Sequence, residues 1–389
     1  MNGIAGRVAA AGTGLRQFKR GTSPQPERGV LIGAILDACA DAGFEPSEID
    51  GFTTYGDDNN EPVRLMPDLG MKELRWSSSV FGGGGGGIAG AIGQAAGAIL
   101  TGQATAIIVY RALVQGNSGR LSQAVMAHHL NSHMVGAGLV SPAQMCALRA
   151  NRMFDYYGVP KQVAEDVVRA CYYHGSRNPD AVTYGAEFSH EAYEGSRYIA
   201  EPFHLLDCSR ENDGAGAILL VSAERARDLK KKPVYVLGVA QGAAMGWGDL
   251  LENDDDDQYA TAGFKSVAQH LWRQTGLKPA DIDVAQVYEN FSAQAIASIV
   301  DHGFCSWEEA GDFIRFENLI APTGKLPINT SGGNIGQGFI HGVGMMVECV
   351  HQLRGESSNP VPDAKTCLLA GGPGAPIVSS AIFGTERPG

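Results

Sequence analysis

Tyr288 closes an apolar stretch in AQVYENFSAQ and is followed at once by a helical pattern, so it stands where a strand hands over to a helix. Such ends gather chemistry in α/β folds. A phenol there can take or give a proton, although a tyrosine at a strand end is more often packed than catalytic. A second group of reactive types lies in LPINTSGGNIGQGFIHGVGMMVE, which carries Asn329, Ser331 and His341. His341 reads as an early residue of a glycine-rich helix, where a lone histidine is usually a hydrogen-bonded core residue. A third group, Asp207, Cys208, Asp213 and Gly214, lies in HLLDCSRENDGAGAILLVS. Asp213-Gly214 reads as a turn into the strand AGAILLVS. Cys208 as a nucleophile has no histidine partner nearby in sequence.

The remaining motifs are weaker. His128, His129 and His133 in AHHLNSH lack carboxylates at clear ligand spacing, so no metal centre is expected in this chain. The cysteines number seven, are scattered and never form a CxxC pair, which argues against a disulfide framework and a zinc site. The acidic run Asn253 to Asp257 reads as a solvated loop.

Gly82 to Gly87 form six consecutive glycines at the mouth of an apolar helical pattern. Glycine loses the most conformational freedom on folding, so a run of six needs a reason. Backbone N–H groups brought close to an anionic or carbonyl ligand at a helix N-terminus is one; tight packing of two backbones is the other. The run fits GxGxxG only because six glycines fit nearly any glycine pattern. No acidic residue stands where a dinucleotide fold holds its ribose, and no GK[ST] follows.

The elements that must position these residues occur twice. AGFEPSEIDGFTTY (42–55) and TGLKPADIDVAQVYE (275–289) each follow a helical pattern. Each has a glycine suited to a helix C-cap, a proline-initiated turn, Ile-Asp and a strand. Downstream of the first come the six glycines, a helix over about 88–100 and the strand ATAIIVYRA. Downstream of the second come NTSGGNIGQG, a helix over about 339–353 and the strand KTCLLAGG. Strands alternating with helices predict an α/β fold of two homologous halves, 1–225 and 226–389, with both glycine-rich loops near a shared centre. Within the first half a stretch over about 114–196, rich in His, Tyr and Arg, contains two helical patterns and is expected to cap the central cleft.

The chain has 389 residues and a net charge of −12, which argues against a nucleic-acid binder. No apolar run approaches the ~20 residues that span a bilayer. The N-terminus does not read as a signal peptide. A cytoplasmic protein is expected.

On GFCSWEEAGDFI, GKLPINTSGGNIGQGFIHGVGMMVECVHQLRG and SRYIAEPFHLLDCSRENDGAGAI, the chain resembles the sterol-carrier-protein/lipid-transfer branch of the thiolase superfamily, nearest the steroid side-chain aldolases called lipid-transfer protein 2. The resemblance implies a duplicated thiolase fold, two βαβαβ-type halves layered α/β/α/β/α. It also implies losses. Gly83 stands where thiolases carry their nucleophilic cysteine, Phe339 where they carry a histidine, and Tyr288 where they carry the asparagine of Asn-Glu-Ala-Phe. Leu369 lies near their second cysteine, with Cys367 displaced. Acyl-enzyme chemistry needs a nucleophile and a base, and glycine and phenylalanine supply neither.

The resemblance therefore implies cysteine-independent retro-aldol cleavage of a β-hydroxyacyl-CoA with a bulky, steroid-like side chain. Tyr288 is the expected base and His341 the second proton-transfer group. Gly83, Gly84, Asn290, Ser331, Gly332, Gly333 and Phe339 are the expected substrate and CoA contacts. Phe339 departs from the aldolase pattern, which carries a second tyrosine there; His341, a pocket water, Tyr110 or His129 are the candidate replacements. The chain is expected to carry no cofactor, coenzyme A entering as substrate. The implied partner is a small OB-fold/zinc-ribbon acyl-CoA-binding protein, any zinc being the partner's. A homodimer of this chain with that partner would make a heterotetramer. Two other readings stay open: a non-catalytic acyl-CoA- or lipid-binding subunit, and a divergent thiolase or acyltransferase using another cysteine such as Cys208 or Cys305.

Overall fold

The computed structural model describes residues 3–116, 132–245 and 259–387. His128, His129, the side chain of His133 and the acidic run Asn253 to Asp257 lie outside the described residues. Eleven strands are described: β1 (Val8–Lys19), β2 (Gly51–Tyr55), β3 (Trp76–Val80), β4 (Ala106–Val114), β5 (Tyr198–Ala200), β6 (Phe203–His204), β7 (Asn212–Ser222), β8 (Val234–Gly242), β9 (Val284–Val287), β10 (Thr366–Gly371) and β11 (Val378–Gly384). The longer helices are α1 (Glu27–Ala42), α2 (Pro62–Leu69), α3 (Ile88–Leu100), α4 (Pro142–Tyr156), α5 (Gln162–Gly175), α6 (Lys265–Thr275), α7 (Ser292–Asp301) and α8 (Val343–Arg354).

The repeated motif forms the same local structure twice. α1 ends at Gly43 (φ 64°) and α6 at Gly276 (φ 72°), both left-handed, a conformation that costs glycine no Cβ clash. A single 3₁₀ turn follows each, at Pro46–Glu48 and Pro279–Asp281, and leads into β2 and β9. Proline at the first position of such a turn gives up no hydrogen bond.

Nine strands form one sheet in the order β3-β2-β4-β7-β1-β8-β11-β10-β9, and β5 and β6 pair separately. On one side of the β1–β8 junction the order is β3-β2-β4-β7-β1; on the other, read from its far end, it is β9-β10-β11-β8, with Ile328 bridging in parallel to Ala285 of β9. Each set has parallel pairs at its outer end and antiparallel pairs inward. β1 and β8 join through Ala9–Tyr235 and Ala10–Val234 alone.

α3 contacts strands of both sets, β2, β3 and β4 on one side and β8, β10 and β11 on the other; α8 meets β1 and β7 of the first set and β8 to β11 of the second, so the two helices lie between them. α1 covers the outside of β1, β4 and β7, and α6 the outside of β8 and β11. The sequence of α3, IAGAIGQAAGAIL, suits that central place. A Cβ on Gly90 would stand 2.0 Å from Gln241 Oε1 and one on Gly93 2.9 Å from Val239 Cγ1, both on β8. Ile88 and Ile92 are fully buried, each worth about 1.5–3 kcal/mol of apolar transfer.

Two expectations need correction. Asp213 and Gly214 are not a turn but lie inside β7. Gly214 is required because a Cβ there would stand 2.4 Å from Ile340 Cδ1. The Asp213 carboxylate accepts N–H bonds from Gly21 (2.8 Å), Ser23 (3.3 Å) and Gly116 (2.7 Å). The last central helix starts at Val343, not near Phe339, so His341 stands in the turn before it. Gly342, at φ 80°, blocks continuation of the helix toward Phe339.

Candidate active site

Tyr288 follows β9 directly, its N–H donating to the carbonyl of Ala370 on β10 (2.9 Å). That bond fixes the backbone, and two glycines fix the ring. A Cβ on Gly85 would stand 2.2 Å from Tyr288 Cε2, and one on Gly342 2.8 Å from Cδ2. The ring is thus clasped between the glycine-rich turns that lead into α3 and α8, where no other residue type leaves room. Phe339 lies edge-on to Tyr288 at 6.1 Å and to His341 at 5.1 Å. Tyr288, Phe339 and His341 therefore form one aromatic row, with the open backbone of Gly83 and Gly84 alongside: an ideal Cβ on Gly84 lies 3.9 Å from the Tyr288 hydroxyl, and one on Gly83 meets nothing within 4 Å.

The six glycines have two explanations along their length. Gly85, Gly86 and Gly87 are forced by packing, against Tyr288, the carbonyl of Ile377 (2.2 Å from a Cβ) and Val80 with Tyr55 (2.8 and 2.9 Å). Gly372 (φ 67°), in the loop after β10, approaches Gly86 so closely that a Cβ would stand 2.1 Å from its Cα. For those three residues the packing reason replaces the ligand reason. Gly84, at φ 54°, supplies a left-handed turn.

Burial pushes the Tyr288 phenol well above its ordinary pKa, and the neighbouring Glu289 adds to that. Arg111 and the Gly85 N–H act the other way without overcoming it. The resting group is a neutral phenol. Glu289, fully buried, is itself raised to about 8 by burial, although the N–H of Ile335 (3.1 Å) and the thiol of Cys171 (3.6 Å) donate to its Oε1.

His341 has φ 47°, a left-handed conformation uncommon outside glycine. Its Nδ1 receives Nε and Nη2 of Arg111 at 3.1 and 2.9 Å, and Arg111 Nη1 pairs with Asp58 at 3.1 Å. Asp58 is completed by the N–H groups of Ala112 (3.0 Å) and Asn60 (2.8 Å). The hydroxyl of Tyr55 donates to the His341 carbonyl at 3.0 Å. Burial, with the Arg111 charge second, holds the imidazole well below its ordinary pKa, so it is neutral.

The other expected contacts are placed differently. Asn290 turns its Oδ1 to the N–H of Phe291 (3.2 Å), and its carbonyl accepts from Ser209 (2.9 Å). Ser331 donates to Gln337 Oε1 at 2.7 Å. Gly332 (φ 109°) packs against Gly175 at the end of α5, and Gly333 (φ 61°) against Glu289, whose Oε1 would lie 2.0 Å from a Cβ. Gly333 thus backs Glu289, while Ser331 and Gly332 pack against Gln337 and the end of α5. Tyr110 is committed elsewhere: it lies on β4, and its hydroxyl donates to the Asn60 carbonyl at 2.6 Å. Burial pushes the thiols of Cys208 and Cys305 up to about 12, far from thiolate at neutral pH.

Sequence reasoning passed over Arg111, Asp58, Tyr55 and Gly342. The signal for Arg111 was present: a cation inside the apolar strand ATAIIVYRA has to be paired. Among the described residues, Glu165, His190 and Glu194 bring possible metal-ligand atoms within 4.8 Å of one another, but Glu165 already accepts from His190 (2.9 Å) and Gln162 (2.9 Å). No described helix is long and apolar enough to cross a membrane.

Residues 250–384 match the thiolase C-terminal domain-like family. The chain is 36% identical over 389 residues to the 17-hydroxy-3-oxo-4-pregnene-20-carboxyl-CoA lyase of Mycobacterium tuberculosis, covering 98% of this chain and 100% of that protein. It is 35% identical over 395 residues to the steroid side-chain-cleaving aldolase of Thermomonospora curvata, covering both completely. Among solved structures it superposes on a chain of the Ltp2-ChsH2(DUF35) aldolase with a TM-score of 0.90 and 34% identity, covering 99% of each chain.

Proposed function

The chain belongs to the steroid side-chain-cleaving aldolases of the thiolase superfamily, and from that premise we propose that it cleaves a steroid-like β-hydroxyacyl-CoA by a retro-aldol reaction. The products are a carbonyl compound and a short acyl-CoA. The observation that carries this reading is the Tyr288 phenol clasped by Gly85 and Gly342 next to Gly83, where no atom of the described residues lies within 4 Å of the Cβ position.

A base takes the proton of the β-hydroxyl. The O–H electrons form the new carbonyl, the Cα–Cβ bond breaks, and its pair passes into the thioester as an enolate. Protonation at Cα then releases the acyl-CoA. Because burial keeps Tyr288 neutral at rest, it does not wait as a phenolate: it accepts the hydroxyl proton as the carbon–carbon bond breaks while its own proton passes along hydrogen-bonded groups to Cα of the enolate, so no net proton is gained or lost. Donors aimed at the enolate oxygen supply the electrostatic part. The bare loop at Gly83 and Gly84 is one source of such N–H groups. His341 takes the second proton-transfer role that Phe339 cannot, being the nearest proton-bearing ring on the Phe339 edge.

Coenzyme A enters as part of the substrate, and the chain uses no cofactor of its own. Its partner is a small OB-fold/zinc-ribbon acyl-CoA-binding subunit, which holds any zinc. Two copies of this chain with their partners form a heterotetramer in the cytoplasm. The edge of β3, the outermost strand of the sheet and unpaired among the described residues, supports self-association, since an unpaired strand edge is a template for another chain. The strand orders on the two sides of β1–β8 support homologous halves 1–225 and 226–389, with α4 and α5 in the capping insertion over about 114–196.

The test is incubation of the full chain and its partner with 17-hydroxy-3-oxo-4-pregnene-20-carboxyl-CoA, followed by chromatography for a shortened acyl-CoA. Acyl-CoA release that tracks steroid carbonyl formation supports the reading. Tight binding without turnover would make the chain a binding subunit, and mass-spectrometric detection of an acylated cysteine would make it a thiolase relative with another nucleophile.

A further inference from the structure

We infer that Arg111 is a positioning residue that fixes His341 as one tautomer, neutral with its proton on Nε2, so that the ring enters the reaction as a donor of defined direction. This rests on the aldolase reading for its role in turnover, but the tautomer itself rests on geometry alone.

Arginine has five N–H donors and no acceptor. Two of its nitrogens, Nε and Nη2, converge on Nδ1 of His341 at 3.1 and 2.9 Å. Nδ1 must therefore present its lone pair, and the imidazole proton must sit on Nε2. A third nitrogen, Nη1, faces Asp58, and both side chains of that pair are almost wholly buried, at 2% and 0% exposure. Asp58 is in turn tied to the backbone of Ala112 and Asn60. The chain Asp58–Arg111–His341 thus has a fixed end on the β2 loop and on β4, and its Nε2–H meets no partner among the described residues.

The backbone gives the second, independent observation. His341 is held at φ 47° and its carbonyl is anchored by Tyr55. That anchor holds the backbone under the ring in one conformation, and with it the direction from which the imidazole meets Arg111.

The groups facing the ring are Arg111 from β4 at Nδ1, with Asp58 behind it; Tyr55 from β2 at the carbonyl; and Phe339 from the same turn, with Tyr288 from the end of β9 beyond it. The charge acting on the imidazole is that of Arg111, which opposes a second proton in the same sense as burial. His341 therefore does not titrate in the range where a free histidine would, near 6.5.

Nitrogen-15 NMR of the full chain with labelled histidine, His341 assigned by its loss in His341→Gln, reads the tautomer without any substrate. The expected result is a neutral ring protonated at Nε2 and unchanged between pH 8 and pH 5.5. A proton on Nδ1, or titration near 6.5, overturns the proposal whether or not the protein is a lyase. In Arg111→Gln the proton should no longer be confined to Nε2, and the pKa of the ring should rise from its wild-type value while burial still holds it below the ordinary one. Turnover of 17-hydroxy-3-oxo-4-pregnene-20-carboxyl-CoA at pH 7.5 should fall by about 10- to 100-fold in kcat, with KM changed by less than about threefold. The loss should shrink as the pH falls toward 5.5, because a second proton gives a growing share of the molecules an Nε2–H, an acid rescue that a merely structural role would not produce. An unchanged kcat, or a loss that deepens in acid, overturns the role in turnover. Asp58→Asn/Arg111→Gln removes the stranded carboxylate should the single variant fail to fold, and carries the same expectations. Absence of lyase activity in the wild type with the Nε2–H tautomer in place would sink the aldolase reading while upholding the geometry.

Discussion

The two central helices begin in the middle of the molecule from glycine-rich turns that meet at one tyrosine ring, yet the turns solve different problems. Before α3 the chain strips itself of side chains: Gly83 faces open space, Gly85 lies on the Tyr288 ring, and Gly86 touches the backbone at Gly372. Immediately before α8 it keeps two aromatic side chains, Phe339 and His341, flanked by Gly338 and Gly342, both at positive φ. One turn makes room and the other delivers groups. Two loops in equivalent places along a repeated pattern can thus diverge completely in chemistry, because the start of a helix in an α/β layer constrains only the backbone, leaving the side chains free to be lost or kept.

The sharpest way to break this comparison is to remove the phenol and leave the two turns intact. Tyr288→Phe should lower kcat by about 10²- to 10⁴-fold with circular dichroism and thermal midpoint close to wild type; retention of full activity would take the site away from Tyr288. Next comes crowding from the stripped side. Gly85→Ala puts a methyl 2.2 Å from Tyr288 Cε2, and should cost about 1–3 kcal/mol of stability together with at least about tenfold in turnover, measured by urea denaturation and acyl-CoA release. The wall behind the tyrosine offers a pH test. Glu289 is raised from an ordinary 4.5 to about 8. Between those values the unfolded chain releases a proton that the folded chain keeps, so this group removes stability as pH rises from 4.5 toward 8 and nothing further above it. Glu289→Gln should therefore flatten the fall of the thermal midpoint between pH 5 and pH 8 by about 2–4 °C or more; an unchanged slope would contradict the raised carboxyl. The smallest effect belongs to Gly83→Ala. With nothing within 4 Å of its Cβ it should change stability by less than about 0.5 kcal/mol, while KM for the bulky thioester rises, separating space kept for a ligand from space needed for packing.

The residues alone determined the repeat, because each copy is written in local rules: a glycine that caps a helix, a proline that opens a turn, an alternation that makes a strand. Those rules put α3 at Ile88–Leu100 and Tyr288 at the end of β9, where they are found. The loss of a cysteine at the thiolase nucleophile position, Gly83, was likewise readable, since a missing side chain is visible in the residues themselves. What the tertiary structure alone decided is partnership across the sheet. Arg111 and His341 are 230 positions apart, and Gly85 and Tyr288 more than 200, so no local spacing connects them. Ser331, Gly332 and Gly333 lie in the expected motif but pack against Gln337, the end of α5 and Glu289, partners that no local spacing names. Contacts of that kind are set by where strands stack and helices cross, and the free energy that selects them is summed over the whole core rather than encoded in any short stretch.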